Sequence, residues 1–139
     1  MSFKAILVLG DSKDPSPDDP NSIKILECDY GFSQAVDHTF QPCEKPKGGL
    51  INVVIESTSD TDFTEWMVSP TEKRNGKILF FKRDGMGIMR KLQFEEAYCV
   101  QFHEKFRGLG TEPMQTFLTI SSGKLSVGSS TEYKNPWAG

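Results

Sequence analysis

Apolar residues recur at every second position over most of the chain, the spacing of strands half-buried against a core. Phe3, Ala5, Leu7 and Leu9 share one face of a first strand, and Lys4 lies opposite, with Ile6 and Val8 making that second face partly apolar. A second strand is expected over Ser22–Phe32, with Leu26, Cys28, Tyr30 and Phe32 on its apolar face and Glu27 and Asp29 on the other. Leu50–Glu56 is a third, its Ile51, Val53 and Ile55 facing one way. The period then changes: Phe63, Trp66 and Met67 fall at i, i+3 and i+4 behind a cluster of capping residues, and Pro70 cannot continue a helix. One short helix is expected, about Asp62–Val68, with Asp62 and Glu65 at the spacing of a capping box.

Asn75-Gly76 reads as a turn leading into a strand over Lys77–Arg83, and Asp84-Gly85-Met86-Gly87 as the reversal of a hairpin. From Met89 to Phe106, Leu92, Phe94, Tyr98, Val100, Phe102 and Phe106 hold the even phase, which Glu96 and Glu104 break. Eighteen residues exceed an ordinary strand, so a bulge or corner is expected near Glu95–Ala97. Met114–Ser121 and Lys124–Gly128 complete the strands. Asp11–Asn21, with three prolines and four acidic groups, is an exposed loop with nothing to bury, and Asp37–Gly49 is a second long loop with two prolines and a glycine pair. Short strands, regular turns and one helix predict a single all-β domain over residues 1–139, a mostly antiparallel β-barrel, closed or nearly so, with one short flanking α-helix. Alternation alone does not separate a barrel from a sandwich.

At 139 residues the chain is long enough to bury about two-thirds of its surface without covalent staples. A net charge of −3 offers no global basic field for nucleic acid, and the longest apolar run, Ala5–Leu9, is far too short to span a bilayer. Met1–Gly10 lacks the cationic start and long apolar centre of an export signal. Cys28, Cys43 and Cys99 are odd in number and widely spaced, which argues against a disulfide framework and for a reducing compartment.

Candidate chemistry is sparse. His38 and Cys43 share a loop but lack further ligands at metal-binding spacing, so no metal or cofactor is expected. Cys99 and His103, four residues apart on a strand, stand roughly 13 Å from each other, too far for a nucleophile and its base. Asp60, Asp62 and Glu65 suit a helix N-terminus better than acid–base work. The two Gly-x-Gly turns lack the rest of a phosphate-binding motif. Lys73-Arg74 and Lys82-Arg83 flank Phe80 and Phe81 in a layout that nucleic-acid-binding sheets also use, though Glu72, Asp84, Glu95 and Glu96 dilute it. With no catalytic constellation, the expected class is a binding or assembly module and not an enzyme.

Met1-Ser2-Phe3-Lys4-Ala5, the loop ending Lys47-Gly48-Gly49, Ile55-Glu56-Ser57-Thr58 running into Asp62-Phe63-Thr64-Glu65-Trp66-Met67, Gly76-Lys77-Ile78 to Lys82-Arg83-Asp84, and Glu96-Ala97-Tyr98-Cys99-Val100 together resemble the Hcp (TssD) tube protein of the type VI secretion system in its Bacteroidetes form. The resemblance covers nearly the whole chain; the departure is Asp11–Asn21, longer and more acidic than the short turn expected there. It implies a small barrel that closes into hexameric rings, rings that stack into an inner tube, and a sheath that drives the tube outward beneath a spike to deliver effectors. Partners would be other copies of the chain and the spike, sheath and effector proteins, with no nucleic acid and no membrane insertion. The protein would be cytoplasmic when assembled, then secreted without a signal peptide. The long loop after the second strand would reach the adjacent ring or subunit, which places the interface at Asp37, His38, Thr39, Phe40, Gln41, Glu44, Lys45 and Lys47. Phe40 is an apolar group that a solvated loop has little reason to carry unless a neighbour, or its own barrel, covers it. The alternative is a stand-alone ligand- or nucleic-acid-binding β-barrel using the Phe80–Phe81 hairpin as its platform.

Overall fold

The computed structural model describes residues 3–10, 13–19 and 22–139. The elements in chain order are β1 (Ala5–Leu9), β2 (Ile23–Tyr30), β3 (Leu50–Glu56), α1 (Asp62–Val68), β4 (Arg74–Phe81), β5 (Ile88–Lys105), β6 (Gln115–Ser121), β7 (Lys124–Val127) and β8 (Thr131–Lys134). The sheet runs β4-β1-β2-β3-β6-β5-β7-β8, every pair antiparallel, and β5 also pairs back to β4. That pairing closes a six-stranded barrel, the expected fold class, with β7 and β8 as an appended ribbon.

The barrel core comprises Leu7, the inward row Ile51, Val53 and Ile55 of β3, and Ile78, Leu92, Phe94, Leu118, Ile120 and Leu125. Helix α1 plugs it with Phe63 and Trp66; Trp66 is fully buried, and its indole N–H donates to the Glu72 carbonyl at 3.1 Å. A smaller cluster, Ile6, Val8, Leu79 and Phe81, forms on the other face of β1 and β4, so both faces of β1 are buried while Phe3 remains exposed. Asp62 is the first helical residue and not the cap. Thr61 occupies the cap position without a side-chain bond, and the Asp60 carboxylate accepts from the Asp62 amide at 3.1 Å.

β5 bends at the expected place, and the bend changes which residues are buried. Phe94 lies opposite Gly76 of β4 and Leu125 of β7, whereas Tyr98 lies opposite Ser121 of β6. Glu96 between them has φ 51, and its amide donates to the Asn75 side-chain oxygen at 3.0 Å. A one-residue slip reverses the faces of a strand. Leu92 and Phe94 point inward before the corner, Ala97 and Cys99 after it, and a second slip between Cys99 and Gln101 returns Phe102 to the core. Tyr98 and Val100 are therefore not core residues as the even phase predicts. The same physics corrects β2: a slip between Ile25 and Glu27 puts Ile23, Ile25, Cys28 and Tyr30 against the core and leaves Leu26 exposed.

Asn75-Gly76 is not a turn but part of β4. A Cβ on Gly76 would stand 2.5 Å from the Phe94 ring and 2.7 Å from the Val8 carbonyl oxygen, so the missing side chain admits the ring of the neighbouring strand. The hairpin at Asp84–Gly87 forms as expected, with Lys82 N–H donating to the Gly87 carbonyl at 2.9 Å. The acidic loop is pinned to the barrel instead of lying free. Asp14 pairs with the nearly buried Lys77 and with Lys91 at 3.1 Å, and Asp18 with Lys4 at 2.7 Å. The ends of that loop at 11–12 and 20–21, and the Met1-Ser2 opening, lie outside the described residues.

Two outcomes follow from this packing. Gly76→Ala destabilises the subunit by about 1–3 kcal/mol, because Val8 backbone and the Phe94 ring both have to yield; chemical denaturation of the two proteins measures it. Asp14 is held below the ordinary carboxylate range, first by its hydrogen bond with Lys77 and then by Lys91. A depressed folded pKa gives stability that is present above the unfolded value of 3.8 and lost as pH falls through the lower folded value. The stability of Asp14→Asn, measured by chemical denaturation at a series of pH values, therefore depends less on pH below about 4 than that of the parent.

Candidate functional site

Between β2 and β3 the chain leaves the barrel as a two-stranded arm. It starts at Gly31, earlier than the loop expected from Asp37, because Ser33 and Lys47 exchange both backbone hydrogen bonds (2.9 and 2.7 Å) and Cys43 N–H donates to the Ala35 carbonyl at 3.0 Å. Neither segment alternates apolar and polar residues, so strand periodicity does not reveal the pairing. Residues 31–47 are all exposed in the single chain.

The tip is built on Asp37. One of its carboxylate oxygens accepts from Thr39 N–H at 2.8 Å, the Thr39 hydroxyl at 2.6 Å and Gln41 N–H at 3.2 Å, while its own amide donates to the Gln41 carbonyl. These bonds, led by that of the Thr39 hydroxyl, lower the Asp37 pKa. Phe40 sits at the apex with φ 67 and is 84% exposed, so it does not fold back onto its own barrel. An aromatic residue in the left-handed region is strained, and an exposed one gains nothing from burial. His38 and Gln41 flank it, exposed. Glu44, Lys45 and Lys47 lie nearer the root, Glu44 and Lys47 paired at 3.4 Å. The eight residues expected at an interface thus lie on one projecting element, three at its root and five at its tip.

The root holds residues that sequence reasoning missed. The Asn135 side-chain amide donates to the carbonyls of Gly48 (3.2 Å) and Ser122 (2.8 Å), and the Tyr133 hydroxyl donates to the Pro46 carbonyl at 3.3 Å or the Asn135 oxygen at 3.0 Å. Phe32 packs edge-on against Tyr133, centroids 5.4 Å apart, and a Cβ on Gly48 would overlap the Phe32 ring. The only sequence trace of this brace is the pair Tyr133 and Asn135 in a tail that otherwise reads as polar.

The other candidates do not converge. Cys99 faces the core, whereas His103 is exposed beside Phe117. Burial pushes the Cys28 and Cys99 thiols up to about 11, so at neutral pH both are protonated and weakly nucleophilic. Phe80 and Phe81 turn into the two core clusters and cannot stack on bases, which removes the platform that a nucleic-acid-binding barrel requires. Of the basic residues beside them, Lys73 pairs with Glu96 and Arg74 with Glu72.

The described residues thus form a closed antiparallel barrel with a plug helix and an exposed arm that carries Phe40 at its tip. The sequence matches the family model described as Hemolysin coregulated protein Hcp (TssD) over residues 1–138, and the chain belongs to this family, the tube proteins of the type VI secretion system. It is similar to Hcp1 from Flavobacterium johnsoniae, a Bacteroidetes relative, with 30% identity over 96% of this chain and 100% of that one and a TM-score of 0.82. The fold recurs in the Hcp1 protein of E. coli EAEC 042 (10% identity, 98% and 100% covered, TM-score 0.76). It recurs also in the sheath-tube complex of PVC, an extracellular contractile injection system (16% identity, 90% and 88% covered, TM-score 0.53). No curated protein matches the chain.

The tip chemistry sets a pH expectation. Because the folded Asp37 pKa is lowered, the order it confers is present above pH 3.8 and is lost as pH falls through the lowered value. Protection of the Thr39 and Gln41 amides, taken relative to the intrinsic exchange rate at each pH, falls in that range, and in Asp37→Ala it is already lost at neutral pH while the β3 amides are unaffected.

Proposed function

We propose that this chain assembles head to tail into hexameric rings, and that the rings stack as the inner tube that a contractile sheath drives outward beneath a spike. The observation that carries this reading is a four-stranded wall with two open edges. β2, β3, β6 and the second half of β5 form one antiparallel wall. Among the described residues β2 pairs with β1 only at Ile23 and Lys24, and β5 pairs with β4 only as far as Ala97. Glu27–Tyr30 and Tyr98–Lys105 are therefore the outer edges of the wall. Unpaired edges are liabilities unless something covers them. Four alternating strands leave β5 running opposite to β2, so the β2 edge of one copy can join the β5 edge of the next in the same antiparallel sense. Such a contact is heterologous and generates a ring when its rotation closes. The number six comes from the family.

The exposed face of the same wall suits an aqueous lumen. Asn52 donates to the Asp29 carboxylate at 3.0 Å, and the Thr119 hydroxyl lies 2.9 Å from the Asn52 oxygen and 3.0 Å from that of Gln101, a polar ladder across all four strands. In this reading the chain acts structurally and not as an enzyme. Its partners are further copies, the spike, the sheath and effectors carried in the lumen, and it is cytoplasmic until the tube is propelled out of the cell. Among the described residues no helix is long and apolar enough to cross a membrane.

Replacing residues 39–47 by a Gly/Ser link leaves the barrel folded, and Phe40→Asp changes subunit stability by no more than about 0.5 kcal/mol, as expected for an exposed position, while ring and tube formation falls sharply in both. Circular dichroism and light scattering after size exclusion measure the two effects. Parental assembly by both variants contradicts a role for the arm, and a mass near 15.6 kDa for the parent at all concentrations contradicts the ring.

A further inference from the structure

We infer that residues 13–19 form an ion-latched strap that lifts while the barrel stays folded, and that lifting uncovers an apolar face on the outside of the barrel. The inference does not depend on the ring reading. Strand register defines the face. Ile6 lies opposite Leu79, Val8 opposite Lys77, and Leu79 opposite Lys91, and directly paired residues share one side of a sheet. Ile6, Val8, Leu79 and Phe81 form a buried cluster on that side, separate from the core inside the barrel and drawn from β1 and β4 alone.

The segment that crosses this cluster is the strap. Asp14 reaches Lys77 and Lys91 on one side of it, and Asp18 reaches Lys4, just ahead of β1, on the other. Pro15 borders the same hollow as Val8, and Pro17 the same hollow as Lys4 and Lys82. Both prolines are half-buried, while Asp14, Ser16 and Asp18 between and beside them are exposed. The prolines therefore lie toward the apolar cluster, and the polar residues turn to water. This is also the stretch in which the sequence departs from the resemblance to tube proteins.

What holds the strap differs from what holds the barrel. β1 and β4 each have a strand on both sides, β1 between β4 and β2 and β4 between β1 and β5, so the strap rests on their side chains and adds no rung to a ladder. Its prolines have no N–H to donate. The bonds that shape it are internal, from Asp19 N–H to the Ser16 carbonyl and from Asp18 N–H to the Ser16 hydroxyl, both 3.1 Å. Attachment comes from two apolar rings and from carboxylates that meet lysines on β4, β5 and the lead into β1. Lys77 is the centre of the latch, since its stem is buried in the face and its ammonium meets Asp14 under the strap. A segment held in this way opens at a lower free energy than the strands beneath it, and salt screens the attraction that keeps it closed. The carboxylates thus decide whether the outside of β1 and β4 is polar or apolar.

The test uses the full chain carrying Cys43→Ser, which removes an exposed thiol, and Val8→Cys, which places one beneath the strap. Maleimide labelling is followed by peptide mass, each rate being divided by that of the same thiol in the unfolded chain. The thiol at position 8 labels about tenfold or more faster than Cys99, which lies inside the barrel. Asp14→Asn with Asp18→Asn raises the rate at position 8 about fivefold, the scale of a few exposed ion pairs, and roughly 0.5 M sodium chloride does the same in the parent but not in that variant. Equal rates at position 8 and Cys99 would mean that the strap moves only when the barrel unfolds, and would overturn the inference. A rate at position 8 that responds to neither aspartate nor salt overturns the latch. In a chain that keeps Val8, the neutral dye Nile red binds more strongly to the Asp14→Asn, Asp18→Asn variant than to the parent; equal binding overturns the inference without recourse to a buried substitution.

Discussion

At Glu96 the backbone of β5 enters the left-handed region, and one flank of the strand changes neighbours from β4 to none among the described residues while its other flank passes from β7 to β6. The barrel, the appended ribbon and the open wall all depend on that corner. Before it, β5 is sandwiched between β4 and β7 and closes the barrel; beyond it, β5 becomes the edge of a four-stranded wall. The corner is overdetermined. Asn75 accepts from the Glu96 amide, Gly123 N–H is shared between the Glu95 and Glu96 carbonyls at 3.1 and 3.2 Å, and the Glu96 carboxylate sits among Lys73, Lys124 and the Gly139 amide. A non-glycine residue at positive φ persists when its surroundings fix it that strongly.

The same logic governs the arm. Two short stretches with no hydrophobic face of their own stand off the barrel because their hydrogen bonds are internal and their root is clamped by Asn135 and Tyr133. Gly48 and Gly49 serve the clamp. The first makes room for Phe32, and the second, at φ 96, lets Ser122 and Asn135 approach the backbone. A subunit that closes its barrel with one half of a strand and exposes the other half, and that carries a hydrogen-bonded arm ending in a strained phenylalanine, places its irregularities on surfaces that face outward.

Much of this was legible in the sequence. The helix bounds, the β3 strand, the Asp84–Gly87 reversal and the corner near Glu95–Ala97 all follow from local pattern, turn chemistry or excess strand length. What local pattern could not carry was phase across an irregularity. Tyr98 and Val100 look like core by even spacing, yet the slip at Glu96 hands that role to Ala97 and Cys99. Leu26 loses its place to Ile25 for the same reason. Asn75-Gly76 has the composition of a turn, but its purpose is long-range: the amide side chain holds a strand twenty-one residues away, and the glycine admits Phe94. The expectation of an interface at Asp37 to Lys47 came from the resemblance and not from periodicity. Their clamp, Tyr133 and Asn135, was invisible because it joins segments 87 residues apart.

The central claim is that the edges Glu27–Tyr30 and Tyr98–Lys105 are left open by one copy and covered by the next. Hydrogen exchange of the backbone amides in these two segments, followed from dilute subunit to assembled protein, tests it most directly. The account predicts that protection rises in both segments together as assembly proceeds, while the β1 and β4 amides keep the same protection throughout. Assembled rings whose β2 and β5 edges exchange as fast as in the free subunit would contradict it.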